Sequence, residues 1–179
     1  MLVDIKPIAR AAGASLPVDL SGTPEAVGLG DAGYRFLGPV TFAGTVSNTG
    51  DGLLVLTGTA AASYEGDCGR CLRPVRGNLS ATVAETYRSR HAVDADRKAK
   101  AGTEETDEDG MGVRFEGWTI DVAEAVREAL ALGLPSRVLC REDCKGICPV
   151  CFADRNERDC GHEGNDAGES AFERLKELL

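Results

Sequence analysis

Apolar positions in the first ninety residues recur with a period of two. Pro39 to Asn48 (PVTFAGTVSN) sets Val40, Phe42 and Val46 against small or polar neighbours. That alternation predicts a half-buried strand. Asn48-Thr49-Gly50-Asp51-Gly52 is a turn signal, and Leu53 to Ser63 (LLVLTGTAAAS) predicts the returning strand of a hairpin. Asn78 to Tyr87 (NLSATVAETY) predicts a third strand, with Leu79, Ala81, Val83 and Glu85 on one face.

The period changes after residue 118. Val122, Val126, Ala129 and Leu130 form one apolar stripe of a helix, with Asp121 and Glu124 spaced as a capping box. Gly133 and Pro135 supply its stop. Ser170 with Glu173 opens a second helix carrying Phe172, Leu175 and Leu179 on one face. It is too short to stand alone and is expected to dock. Residues 91–118 carry AVDADRKAKAGTEETDEDGMG, polar and without an apolar period, which predicts an acidic mobile insert. Its block Glu104 to Asp109 is most simply a solvated loop.

Composition narrows the class. The 179 residues are 42% hydrophobic but only 5% aromatic, so the core is expected to be mostly Val, Leu, Ile and Ala. The net charge of −9 falls entirely beyond residue 90, since residues 1–90 are balanced. Such acidity argues against a general polyanion binder but leaves room for a local basic face. No stretch approaches the roughly 18 apolar residues of a membrane span. The start, MLVDIKPIARAAG, has no apolar core of a signal peptide. A soluble, cytoplasmic protein is expected.

Seven cysteines sharpen the chemistry. Disulfides need an oxidising compartment and leave one thiol over. Metal binding needs neither condition, because His162 completes an even set of donors. Cys68-Gly69-Arg70-Cys71 and Cys148-Pro149-Val150-Cys151 are C-x-x-C tracts, which can present two thiolates to one metal. A redox dithiol shares the spacing, but its reactive cysteine usually opens a helix, whereas the flanks of Cys68 are strand-like. Cys140, Cys144, Cys160 and His162 bring the total to eight donors, enough for two tetrahedral zinc sites. One pairing joins Cys68 and Cys71 to Cys140 and Cys144, and leaves Cys148, Cys151, Cys160 and His162 as a local knuckle. Spacing does not fix which pairs share a metal, and a single filled site with free thiols elsewhere is the simpler alternative. His91 lies in the polar insert and is expected to face solvent.

The expected fold is therefore α+β. A small antiparallel β-rich part (1–90) and the insert (91–118) precede residues 119–179, which carry a central helix, a zinc-stabilised cysteine region and a C-terminal helix. The first and last parts are expected to pack as one domain.

The order of these motifs resembles the YceD family, named for accumulation of large-subunit ribosomal RNA. The resemblance rests on Cys68-Gly69-Arg70-Cys71-Leu72 after a strand, the helix ending Leu134-Pro135, the tract Leu139 to Cys151 and the terminal helix. It covers the chain from about residue 35 onward. It implies a β-rich domain with helices and a role in supplying large-subunit ribosomal RNA, through RNA, a ribosomal protein or an assembly factor. Family members vary in the later cysteines, which makes the first site the more general one. Related sequences tend to carry Gly after the second knuckle cysteine, where this chain has Phe152. A turn of positive φ is expected to suit Phe poorly.

Three function classes follow. RNA contact would use Arg70, Arg73, Arg76, Arg88 and Arg90, which cluster in sequence near the first cysteine pair. A protein-interaction module for a basic ribosomal protein or assembly factor accounts better for the acidity. An enzyme is not expected. The chain has no Gly-rich phosphate loop, no Ser/His/Asp arrangement and only two histidines.

Overall fold

The computed structural model describes residues 1–30, 33–90 and 112–162. The predicted C-terminal helix, His91 and most of the acidic insert lie outside the described residues. By contact the chain divides into two compact units. One is Met1–Gly66 with Arg76–Ser136, and the other is Asp67–Val75 with Arg137–Leu179.

The first unit is a sheet. Strands β1 (Leu2–Asp4), β2 (Ser15–Gly22), β3 (Arg35–Phe36), β4 (Val40–Gly50), β5 (Leu53–Asp67), β6 (Pro74–Ser89), β7 (Val113–Phe115) and β8 (Thr119–Asp121) precede helix α1 (Ala123–Gly133). The main sheet runs β2-β4-β5-β6-β7, with β3 paired to β5 beyond the end of β4, while β1 and β8 form a separate antiparallel pair. Strand β7 lies parallel to β6, and the pairs β2–β4 and β4–β5 are antiparallel.

The expected α+β class is corrected by this architecture. Among the described residues strand makes up 45% and helix 9%, so the fold is sheet-dominated rather than α+β built on a central and a C-terminal helix, with one short helix in the described part. Two physical reasons account for the difference. Strands β5 and β6 run for 15 and 16 residues, well past the stretches where alternation is clean. The N-terminal segment also adds β2, which Pro17 disguises. Pro17 is tolerated because β2 is the sheet's edge and one side of it needs no ladder donor.

The core follows the alternation. Val40, Phe42 and Val46 of β4, Leu54, Leu56 and Ala60 of β5, and Leu79, Val83 and Tyr87 of β6 are buried. Val122, Val126 and Leu130 of the predicted helical stripe are buried as well, while its Ala129 is half-buried and Ala125, outside the stripe, is buried in addition. Gly44 and Gly58 face one another across β4 and β5, and a Cβ on either would lie 2.7 Å from Cζ of the fully buried Phe42. The glycine pair is the floor under that ring.

The hairpin turn is tighter than the five-residue signal suggests. Asp51 and Gly52 both take positive φ (50° and 72°), the signature of a type I′ turn. Asn48 belongs to the strand and is buried. Its Nδ2 donates to the carbonyl of Ile8 (2.7 Å) and its Oδ1 accepts from Gly50 N–H (2.9 Å). At the helix start, no capping box forms. Asp121 Oδ1 accepts from Ala123 N–H (2.9 Å) and from the Met1 amine (2.8 Å), while Glu124 pairs with Arg127.

Candidate metal centres

The second unit is short of apolar residues and rich in donors. Strands β5 and β6 lead into it through a hairpin end bearing Cys68-Gly69-Arg70-Cys71, and residues from 137 onward complete it. Among the described residues, buried Cys68, Cys71 and Cys144 form a small core with Val75, Leu139 and Ile147 packed against it. A core built mainly from cysteines among the described residues is the usual setting of a structural metal.

All seven cysteines are free of disulfides. Their sulfurs gather into two groups. Cys68, Cys71, Cys140 and Cys144 form the first, and Cys148, Cys151, Cys160 and His162 the second. Within each group the donor atoms all lie within 4.8 Å of one another. In the first, Cys68 Sγ is 3.8 Å from Cys144 Sγ, and Cys71 Sγ is 3.6 Å from Cys140 Sγ. Zn–S bonds of about 2.3 Å at tetrahedral angles put sulfurs about 3.8 Å apart, whereas a disulfide needs about 2.05 Å. The first group has the edge length of a thiolate tetrahedron.

Both C-x-x-C tracts use one backbone device. Leu72 N–H donates to the Cys68 carbonyl (3.0 Å), and Cys68 N–H donates to the Arg73 carbonyl (2.8 Å). In the second tract Phe152 N–H donates to the Cys148 carbonyl (2.9 Å), and Cys148 N–H donates to that of Ala153 (2.8 Å). The residue after each second cysteine closes the turn in the left-handed region, Leu72 at φ 62° and Phe152 at φ 57°. Phe152 thus adopts the turn that its side chain was expected to resist. It does so with its ring 75% exposed, where no packed neighbour adds to the backbone strain.

These turns aim amide N–H groups at sulfur. The Cys68 thiol falls to about 6 because the amides of Cys140 and then Cys71 point at it. Cys148 falls to about 6 through the amides of Cys151 and Val150. Cys140 is pushed up to about 12, by desolvation first and then by the thiols of Cys71, Cys144 and Cys68. Cys68 and Cys144 are lowered while Cys71 and Cys140 are raised, so ionisation of the first group begins readily and crowding opposes its completion. A dication removes that opposition, so the donor set suits a soft, four-coordinate divalent metal. Four donors in each group would be enough to complete a tetrahedral coordination sphere.

Two residues outside the C-x-x-C tracts, Asn156 and Asp154, support the first group. Asn156 lies in the loop between Cys151 and Cys160, yet its Nδ2 donates to Cys144 Sγ (3.4 Å). Its Oδ1 accepts from Lys145 N–H (2.8 Å) and from the Arg141 guanidinium (2.7 Å). Asp154 accepts from Asn156 N–H (2.8 Å) and Nδ2 (2.7 Å) and pairs with Arg73 (2.7 Å). The Asn156 amide and then Arg73 hold the Asp154 carboxyl below the usual carboxylate range. The backbone joins the groups too, with Ile147 N–H on the Arg70 carbonyl (3.1 Å). In sequence, the only signal was an Asx-rich run after Phe152.

The five arginines singled out for RNA are divided between the units and mostly engaged. Arg70 donates to the carbonyls of Glu142 (3.1 Å) and Cys144 (2.8 Å), and Arg73 pairs with both Asp154 and Glu157. In the sheet unit Arg76 pairs with Glu65 (2.8 Å) and Arg90 with Glu116, while Arg88 is half-buried on β6.

The family described as "Large ribosomal RNA subunit accumulation protein YceD" matches residues 56–179. An uncharacterized protein of Mycobacterium tuberculosis is 34% identical over 152 residues, covering 84% of this chain and 69% of the relative. One from Mycobacterium leprae is 28% identical over 152 residues, covering 84% and 65%. "Large ribosomal RNA subunit accumulation protein YCED homolog 1, chloroplastic" of Arabidopsis thaliana is 35% identical over 62 residues, covering 34% of this chain and 19% of the plant protein. No solved structure matches the chain. Among the described residues no helix is long and apolar enough to cross a membrane.

Proposed function

Because the chain belongs to the YceD family of large ribosomal RNA subunit accumulation proteins, we propose that it is a non-enzymatic factor supporting large-subunit ribosomal RNA accumulation or ribosome assembly, held in shape by two structural zinc ions. The observation that carries the zinc reading is the pair of four-donor groups, one with the sulfur spacing of a thiolate tetrahedron. Closed sites of this kind order loops and perform no chemistry. A reducing compartment such as the cytoplasm keeps these thiols available for metal.

A protein partner is the second reading, and one observation favours it. Leu72, Val150 and Phe152, at or next to the knuckle turns, expose 62%, 57% and 75% of their surface. Large apolar side chains at strained, exposed turns suit contact with another protein.

The test is depletion of the protein from its host, followed by the ratio of large- to small-subunit ribosomal RNA. Large-subunit RNA is expected to fall, to recover with the wild-type chain, and to stay low with Cys68→Ser. Metal analysis of the purified wild type is expected to give two zinc ions per chain. An unchanged RNA ratio would overturn the functional reading, and a zinc-free native protein the structural one.

A further inference from the structure

The run Asp154-Arg155-Asn156-Glu157-Arg158-Asp159 interleaves three acidic and two basic residues and reads as slightly acidic in sequence. The tertiary structure changes that balance. Arg73 takes both Asp154 and Glu157 as ion-pair partners. Arg155 and Arg158 are left without carboxylate partners among the described residues, and Lys145 is in the same position. These three cations line a polar cavity of about 210 Å³ with Asn156, Glu157 and Asp159. One carboxylate there, Asp159, lacks a cationic partner among the described residues, and its Oδ1 accepts from Gly161 N–H (3.0 Å). Positive charge therefore dominates the cavity.

Its walls are fixed. Arg155 N–H donates to the Gly146 carbonyl (2.9 Å), Ile147 bridges to Asp154, and Lys145 N–H is held by Asn156 Oδ1 (2.8 Å). Lys145 and Arg155 are thus presented from two segments joined by an antiparallel bridge, whose separation the backbone sets. The volume is many times the roughly 10–15 Å³ that a single water needs, which leaves room for a phosphate group and bridging waters. Two guanidinium forks and an ammonium suit phosphate oxygens, which accept bidentate hydrogen bonds.

We propose that Lys145, Arg155 and Arg158 form a binding site for a backbone phosphate of RNA. The choice of RNA over another polyanion rests on the ribosomal RNA reading above. Contacts of this kind position a nucleic acid without reading its sequence.

The test uses the full-length zinc-loaded chain and a labelled poly(U) strand, with anisotropy measured at several salt concentrations. Each single-strand phosphate contact adds about 0.7 to the salt slope, so the wild type should show a slope near −2 from these side chains. Replacing all three with Ala should bring the slope close to zero. Near 0.1 M salt the affinity should fall roughly a hundredfold, with zinc content unchanged. Arg76→Ala and Arg90→Ala, which remove arginines already paired in the sheet unit, should change affinity less than about twofold. Unchanged slope in the triple variant, or a wild type that binds none of poly(U), inorganic phosphate and poly-glutamate, overturns the site. Binding of inorganic phosphate or poly-glutamate with the same three-residue dependence, but not of poly(U), overturns the RNA assignment. Loss of RNA accumulation on depletion, together with a triple variant that binds poly(U) normally, would sink the site and spare the functional reading. The converse pair of results would spare the site alone.

Discussion

With zinc in both groups, as proposed, the Asn156 side chain should make the two sites interdependent, and this can be measured. Asn156 belongs to the loop closed by Cys151 and Cys160, but it donates to Cys144 Sγ of the other group (3.4 Å). Metal in the second group should pin that loop and hold the amide against the sulfur. Loss of an outer-shell partner costs about 10- to 100-fold in metal affinity. The contact is long and the same Nδ2 also donates to Asp154 (2.7 Å), so the lower figure is expected, about 1.4 kcal/mol. Asn156→Ala should therefore weaken the four-cysteine site about tenfold. Cys160→Ser, which opens the second group, should weaken the first by a similar factor although it removes none of its ligands. The double variant should be no worse than either single one, because both remove the same contact. Cobalt titration followed by thiolate-to-metal absorption separates the four-sulfur site from the mixed one, and a zinc chelator competition gives the affinities. Additive losses near a hundredfold, or a first site indifferent to Cys160→Ser, would refute the coupling. Reciprocity requires that zinc in the first group tighten the second by the same factor.

Other consequences follow from single features. Metal affinity should fall more steeply with acidity below about pH 6 than above it. Cys68 and Cys148 are already ionised above that value and must shed a proton to bind below it, so each site should gain one unit in its log K–pH slope. Gly44→Ala should cost about 1–3 kcal/mol in urea denaturation of the zinc-loaded protein, since the new Cβ would sit 2.3 Å from the Thr57 carbonyl and 2.7 Å from Phe42. Its zinc content should not change, and an unaffected midpoint would show that the sheet can relax around the pair. Phe152→Gly should keep both metals and raise stability by about 1 kcal/mol, because glycine relieves the positive φ and an exposed ring has little packing to lose. Weaker zinc retention in that variant would mean that the ring shields the second site.

Much of this protein is written locally. Alternation in β4 and the Asp51-Gly52 turn define the hairpin because side-chain period and turn dihedrals are properties of a few neighbouring residues. The helical stripe from Val122 to Leu130 is equally local, as are the C-x-x-C tracts whose turns present paired sulfurs. Other features depend on residues far apart in the chain. Pro17 hides β2 until the strand's place at the sheet edge makes a missing donor harmless. Cysteine spacing cannot say that Cys68 lies 3.8 Å from Cys144, since that distance is set by how the hairpin end meets the segment after Ser136. The same meeting brings Arg73 onto Asp154 and Glu157 and puts Asn156 on a sulfur of the other group. Composition counts charges, but only folding decides which are neutralised: Coulomb attraction depends on separation in space, and here the partners are about eighty residues apart along the chain.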